Sequence, residues 1–164
     1  GWKSIVLNDT NNLQNAATAF SYSLVRNVVI SNTSQLTNTS HMFEHCPQLL
    51  SIPNLVFPVI GGSVAWTLND CKSLSALPVI DVANVNNGIN LSGNPNLGRI
   101  PIINIGTSID VSYCNLGSAQ LDEIYNNLIT NTSETLFIKV FGNPGMSGSN
   151  MSIASNKGWT VLTA

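Results

Sequence analysis

Residues 65–78 read "AWTLNDCKSLSALP", and the same arrangement recurs directly before and after this stretch. The preceding copy is "HMFEHCPQLLSIP" at 41–53, and the following copy is "GINLSGNPNLGRIP" at 88–101. Each copy has a Cys or Asn at one fixed position, a large apolar residue before it, and a Leu, an Ile or Leu, and a Pro after it. The matched residues are Phe43, Cys46, Leu49, Ile52 and Pro53; Leu68, Cys71, Leu74, Leu77 and Pro78; and Leu91, Asn94, Leu97, Ile100 and Pro101.

The pattern continues less regularly on both sides of these copies. Downstream, "SIDVSYCNL" and "FIKVFGNPG" supply an apolar residue and a Cys or Asn at matching positions, which are Val111, Cys114, Val140 and Asn143. Upstream, two registers remain open, one through Leu7, Thr10, Leu13, Ile30, Thr33 and Leu36, and one through Phe20 and Ser23. Repeats of 20–29 residues with this character are typical of solenoids, in which neighbouring units bury one another's apolar side.

Each unit is expected to contain a short strand whose side chains alternate between the inside and the outside. The apolar positions then form a shared core, and the fixed Cys or Asn forms a buried ladder. Asn at this position can satisfy backbone groups of a neighbouring loop, whereas Cys packs as a small apolar residue. Three cysteines, an odd number, argue against a closed disulfide framework.

The segment "SAQLDEIYNNLITN" predicts a helix, because its apolar residues fall on one face at helical spacing. Ser118 is the expected N-cap, with Asp122 and Glu123 in the first turn. The expected buried face consists of Leu121, Ile124, Tyr125, Leu128 and Ile129. The tail "SIASNKGWTVL" predicts a helical turn that ends at Gly158, followed by a last strand.

The stretch "INLSGNPNLGRIP" resembles a leucine-rich repeat, and "MFEHCPQLLSIP" resembles the bacterial-surface, BspA-like subclass. The closing segment is similar to that of leucine-rich repeats in phage tail-fibre-like proteins. The resemblance covers most of the chain from about Phe43 onward. It implies an α/β solenoid of leucine-rich-repeat coils, with short parallel strands, one C-terminal helix and a capping strand. The chain would be one domain, 1–164, within a longer protein: irregular coils at 1–42, regular repeats at 43–114, and a helix-containing repeat and cap at 115–164.

The stretch "HMFEH" at 41–45 matches the H-x-x-E-H pattern of some zinc peptidases. If the repeat places it on a strand, His41 and His45 lie about 13 Å apart, too far to share one zinc ion. We therefore expect no metal there, and no cofactor elsewhere, because the sequence contains no C-x-x-C, Walker loop or G-x-G-x-x-G pattern. We also expect no catalysis, because no nucleophile with its base is recognisable. A carboxylate pair formed in space, such as Glu44 with Asp70 or Asp110, stays open as a glycosidase-like alternative.

Charged residues make up 9% of the chain, and the formal net charge is −2. The absence of a basic cluster argues against a nucleic-acid partner, because phosphate binding relies on several Lys or Arg on one face. No apolar run approaches the roughly 18 residues that suggest a membrane span. This polar, weakly charged composition favours a virion surface or a secreted or cell-surface location.

Alternation along the strands predicts an outward strip, beside Phe43, Leu68, Leu91, Val111 and Val140 in the core. Its central members carry amides and hydroxyls, which can hydrogen-bond sugar hydroxyls or a polar protein face. We expect the binding residues to be Thr67, Asn69, Asn90, Ser92, Asp110, Ser112 and Lys139, with Met42, Glu44 and Phe141 also facing outward.

Resemblance and composition together predict a non-enzymatic binding or adhesion module. Its expected partners are a host cell-surface glycan or protein and other virion or surface-fibre subunits, with the parent protein a homo-oligomer. Two alternatives remain: a structural or decorating virion protein, and a polysaccharide-degrading enzyme.

Overall fold

A computed structural model describes residues 4–8, 10–31, 35–54, 67–131 and 135–164. The strands in these ranges are short: β1 Ser4–Leu7, β2 Asn27–Ile30, β3 Ile80–Asp81, β4 Ile89–Asn90, β5 Ile102–Ile103, β6 Ile109–Asp110, β7 Phe137–Lys139 and β8 Thr160–Leu162. The helices are α1 Ser118–Asn127, a 3₁₀ helix Met146–Gly148, and α2 Ser152–Ser155. Short parallel strands with few helices agree with the α/β class expected from the sequence.

All strand pairs in the described part of the chain are parallel. β1 pairs with β2, β3 pairs with β5, and a four-stranded sheet has the order β4-β6-β7-β8. In the four-stranded sheet, Ile89 pairs with Ile109 and Ile109 with Ile138, so equivalent apolar residues align. All three are buried, because residues that lie opposite one another on paired strands point to the same side of the sheet.

One backbone hydrogen bond recurs with each sequence unit. The residue before the fixed Cys or Asn, or before Ser23 in the first unit, donates its N–H to a carbonyl of the next unit, at 2.8 to 3.0 Å. The pairs are Tyr22 with Glu44, His45 with Asn69, Asp70 with Ser92, Gly93 with Ser112, and Tyr113 with Phe141. Successive units therefore lie side by side in one register, and the bonding between units extends upstream of residue 43, at least to Ala16, whose N–H donates to Asn38 O at 2.9 Å.

The predicted buried ladder is confirmed at Cys46, Cys71, Asn94, Cys114 and Asn143, all buried. We call these five residues and Ser23 the ladder positions. Each of the five donates a side-chain hydrogen bond to the preceding unit, to the carbonyl three residues before that unit's ladder position. The bonds run from Cys46 to Phe20 (2.9 Å), Cys71 to Phe43 (2.9 Å), Asn94 to Leu68 (2.8 Å), Cys114 to Leu91 (3.0 Å) and Asn143 to Val111 (2.9 Å).

Asparagine at a ladder position makes a further bond that cysteine does not match. Asn94 Oδ1 accepts the N–H of Cys71 at 3.0 Å, and Asn143 Oδ1 accepts that of Cys114 at 3.1 Å. The three thiols are free and buried. Burial raises the pKa of Cys46, and raises the pKa values of Cys71 and Cys114 to about 12.

Helix α1 differs in detail from its prediction. Its N-cap is Gly117, so Ser118 is the first helical residue, and the first turn holds no acidic residue. Asp122 and Glu123 serve other purposes: Asp122 Oδ1 accepts the N–H of Asn150 at 2.6 Å, and Glu123 accepts two bonds from Arg99. These side chains join the helix to neighbouring segments, which the spacing along one helix does not reveal.

The predicted inner face of α1 is buried at Leu121, Ile124, Tyr125 and Leu128, whereas Ile129 is 48% exposed. Ile129 was predicted inside, but the helix ends at Asn127 and Leu128 is already extended, so the helical periodicity no longer applies.

The C-terminal tail has the predicted order of α2, a left-handed Gly158 and a last strand. Two of its side chains close the C-terminal end of α1. Lys157 Nζ donates to the carbonyls of Tyr125, Asn126 and Leu128, at 3.2, 2.7 and 2.7 Å. Trp159, which is 3% exposed, donates its indole N–H to Ile129 O at 2.8 Å.

Candidate functional site

Three polar side chains form a row across paired strands at one described cleft. Asn90 of β4 lies opposite Asp110 of β6, which lies opposite Lys139 of β7. Lys139 Nζ is 3.7 Å from Asp110 Oδ2 and 5.6 Å from the ring centre of Phe137. We call this surface the polar cleft; it has a volume of about 210 Å³ and is lined by Asn87, Gly88, Ile89, Asn90, Asp110, Phe137 and Lys139.

The structure supports only part of the predicted outward strip. Asn90, Asp110 and Lys139 are partly exposed and aligned, and Ser92 is partly exposed beside Asn90. The outward placement predicted for Thr67, Asn69, Ser112 and Met42 is wrong: their exposed fractions are 1%, 8%, 1% and 0%.

The reason for these errors is the shortness of the strands. Residues 41–45 and 67–70 are turns, and β4 and β6 each contain two residues before the chain turns. Strict alternation therefore fails after the second strand residue. Asn69 turns inward and donates to Ser92 Oγ at 2.9 Å, and the Thr67 hydroxyl donates to Thr39 O at 2.8 Å.

Asn90 and Asp110 also have a structural role in the turns that follow their strands. Asn90 Oδ1 accepts the N–H of Ser92 at 2.9 Å, and Asp110 Oδ1 accepts that of Ser112 at 3.0 Å. Asn and Asp commonly stabilise turns in this way. Each side chain thus uses one oxygen to hold the turn, and Asp110 has its second oxygen near Lys139.

The stretch at 41–45 is a turn and not the strand expected from the repeat. His41 and His45 have φ values of +57° and +52°, and their Nδ1 atoms contact different carboxylates. His41 Nδ1 is 2.9 Å from Glu44 Oε2, and His45 Nδ1 is 2.9 Å from Asp70 Oδ2. Within the described ranges, no three His, Cys, Asp or Glu side chains are grouped so as to hold a metal ion. The absence of zinc stays a prediction. It now rests on the separate carboxylate contacts of the two Nδ1 atoms in a turn, and no longer on a strand that holds the histidines apart.

Sequence reasoning did not find a row of residues in the left-handed conformation. We call it the left-handed row: Tyr22, His45, Asp70, Gly93, Tyr113 and Gly142. Each member lies directly before a ladder position, and φ ranges from +52° to +76°. The glycines at 93 and 142 were the available signal, because glycine recurring at one repeat position indicates a positive φ.

Four members of the left-handed row are not glycine, and each pays a conformational cost of about 1 kcal/mol. Tyr22 and Tyr113 are 70% and 57% exposed, so burial of the side chain does not compensate for that cost. Non-glycine residues in strained backbone regions concentrate at functional sites. The left-handed row is therefore a second candidate site.

Among the residues that the structure describes, no helix is both long and apolar enough to cross a lipid bilayer. No protein-family model, curated protein or solved structure matches the chain.

Proposed function

We propose that this chain is a non-enzymatic binding or adhesion module that recognises a host glycan or surface protein. The observation that carries the proposal is the polar cleft, where Asn90, Asp110 and Lys139 from three paired strands lie beside Phe137. The amide, the carboxylate and the ammonium can form hydrogen bonds with the hydroxyls of a sugar or the polar groups of a protein. The aromatic ring beside them can cover an apolar face of the same ligand.

We further propose that the architecture is a leucine-rich-repeat solenoid of the bacterial-surface or phage tail-fibre type. The recurring backbone bonds and the ladder support this, because both link each unit to its neighbours in one register. Solenoids offer extended binding faces. The setting would be a virion surface, or a secreted or cell-surface protein, with other fibre subunits as partners in a homo-oligomer.

The contacts of the carboxylates that could serve a glycosidase argue for binding and against hydrolysis, because each carboxylate already contacts a neighbouring side chain. His45 lies between Glu44 and Asp70, with ring nitrogens 3.9 Å from Glu44 Oε1 and 2.9 Å from Asp70 Oδ2. Asp110 is engaged by Lys139 and by its own turn. A glycosidase needs two carboxylates that face each other across room for a sugar and, in inverting enzymes, a water molecule.

The test is adsorption of the chain, fused to a trimeric coiled coil, to a panel of candidate host cells. The informative variant is Asn90→Asp with Lys139→Gln. Aspartate keeps the turn acceptor, as Asp110 does in the next unit, so folding should be retained while the amide donor and the ammonium are lost. We expect adsorption to fall at least tenfold.

The matched control is Asn84→Asp with Arg26→Gln, which makes the same charge change at exposed residues outside the cleft lining. It should adsorb like the parent chain. If the cleft variant also adsorbs normally, the polar cleft is not the binding site. If no cell type is bound and the chain binds another virion protein instead, the structural alternative replaces the proposal.

A further inference from the structure

The left-handed row borders a groove on the surface of the molecule. Two open hollows, of about 250 and 290 Å³, both include Asp70 and Lys72 in their lining. The first also includes Tyr22, His45 and Pro47, and the second includes Gly93, Pro95 and Tyr113. The two hollows meet at these two shared residues; together we call them the groove, with Tyr22 in the lining of one hollow and Tyr113 in the lining of the other.

We infer that this groove binds a neutral, linear oligosaccharide, whose chain runs along the left-handed row and places a sugar ring against each tyrosine. The inference goes beyond the proposed function, because it assigns a second binding site whose residues are not part of the polar cleft.

The spacing of the row suits an extended chain of similar repeating rings. Tyr22, His45, Asp70, Gly93 and Tyr113 follow one another from unit to unit, linked by the recurring backbone bond. Neighbouring parallel segments lie about 4.8 Å apart, so four steps separate the tyrosines by roughly 19 Å. One unit therefore advances by about the length of one pyranose ring in an extended glycan.

The charges of the groove compensate one another, which favours a neutral ligand. Asp70 contacts the ammonium of Lys72, whose Nζ lies 3.9 Å away, and the imidazole of His45, whose Nδ1 lies 2.9 Å away. An anionic ligand would have to compete with Asp70 for these groups. Sugar hydroxyls can instead donate to the carboxylate and accept from the ammonium without breaking the pairs.

Both tyrosines are held in place by an aromatic ring of the next unit. The ring of Tyr22 lies 4.8 Å from that of His45, and the ring of Tyr113 meets Phe141 edge-on at 5.3 Å. The ring of Tyr113 also covers Gly142, where a side chain would collide with it. Rings that are fixed before binding lose little freedom when a sugar stacks on them.

Glycine at two positions shows that the backbone of the row does not require a side chain. Gly93 and Gly142 adopt the same conformation as Tyr22 and Tyr113 with less strain. The exposed tyrosines are thus present despite an easier alternative. The groove is also a single file of side chains, whereas a stable protein interface needs a surface of about 1,000 Å² or more.

The experiment titrates the full chain with β-1,4-linked oligomers of glucose, mannose and N-acetylglucosamine, from disaccharide to hexasaccharide, by calorimetry. We expect one series to bind, with affinity that rises with chain length until both tyrosines are reached. Tyr22→Gly and Tyr113→Gly should each weaken hexasaccharide binding at least tenfold. Tyr113→Phe, which keeps the ring, should retain most of the affinity.

The control variant Asn84→Asp with Arg26→Gln, which lies outside both the groove and the polar cleft, should bind the hexasaccharide like the parent chain. Thermal melts check that the glycine variants are folded. We expect that they are, because glycine favours the left-handed backbone at positions 22 and 113. The inference is overturned if no neutral series binds, if the glycine variants bind normally, or if oligogalacturonate binds more tightly than every neutral oligomer. Cell adsorption that depends on the polar cleft would in that case leave the proposed function standing, so the two failures are distinguishable.

Discussion

Cysteine and asparagine interchange at the ladder positions because both donate a hydrogen bond to the same buried carbonyl of the preceding unit. Cys71 Sγ donates to Phe43 O, and Asn94 Nδ2 donates to Leu68 O. The sequence predicted the burial and the interchange. It did not predict that the thiols would act as donors, because cysteine is usually a weak one.

Replacing Cys71 tests this account at a single residue. Cys71→Asn should change the free energy of unfolding by about 1 kcal/mol or less, because the amide can make the hydrogen bonds that Asn94 makes one unit later. Cys71→Lys should cost about 3–5 kcal/mol, because it buries an unpaired charge. Urea denaturation measures both, and equal stability of the two variants would mean that residue 71 does not lie in a buried ladder.

The raised thiol pKa values predict a loss of stability at high pH. Burial raises the pKa of Cys71 from 9.0 to about 12, so its contribution to stability is complete below pH 9. Above that pH the unfolded chain releases the thiol proton while the folded chain keeps it, and stability falls until about pH 12. Urea denaturation at increasing pH should therefore show a shallower decline for Cys71→Asn than for the parent chain. Parallel profiles would contradict the assigned burial.

The left-handed backbone at Tyr22, where φ is +59°, predicts an unusual order of substitutions. Tyr22→Ala and Tyr22→Gly remove the same ring contacts, but only alanine retains a Cβ in the left-handed region. The glycine variant should be more stable than the alanine variant by about 1 kcal/mol. At exposed Ala119, the second residue of helix α1, the order should reverse, with Ala119→Gly costing up to about 1 kcal/mol. Thermal melts of the three variants decide it.

At the scale of elements, the strands were the least predictable part of the structure. Apolar repeats located them, but not their length, because two-residue strands such as β4 and β6 end where a left-handed turn begins. The helix was easier, since its apolar spacing extends over three turns. Its ends were not, because Gly117 begins it without a side-chain cap, and a distant lysine satisfies the carbonyls at its C-terminal end.

Lys157 provides the test at this scale. Lys157→Met keeps most of the aliphatic stem and removes three hydrogen bonds to the last carbonyls of α1. We expect a loss of about 1–3 kcal/mol, because charge-assisted bonds at a helix C-terminus are stronger than average. Lys72→Met is the control: that side chain is 65% exposed, and it should cost less than about 0.5 kcal/mol. Similar losses for both variants would show that Lys157 does not stabilise the helix end.

At the scale of the whole molecule, the sequence predicted the register of neighbouring units better than it predicted which residues lie at the surface. The recurring Cys, Asn and Leu positions report what is buried, and burial imposes the same requirement on every unit. The surface has no such repetition, so Asn90, Asp110 and Lys139 were found by alignment with the core, whereas Thr67, Asn69 and Ser112 were misplaced. The left-handed row could be recognised only from the backbone φ angles. In the sequence, only Gly93 and Gly142 indicated a positive φ at this position of the repeat.

The last prediction concerns the number of copies in the proposed binding function. A few hydrogen bonds to a hydrated ligand gain only about 1 kcal/mol each over water, so a single copy of the chain should bind cells weakly. Fusion to a trimeric coiled coil should raise apparent affinity by about 10²–10⁴-fold, because later contacts become intramolecular. Cell binding by flow cytometry compares monomer and trimer, and a trimer of the Asn90→Asp, Lys139→Gln variant controls for adhesion by the coiled coil. A monomer that binds as tightly as the trimer would contradict the prediction, because recognition would then need no second copy.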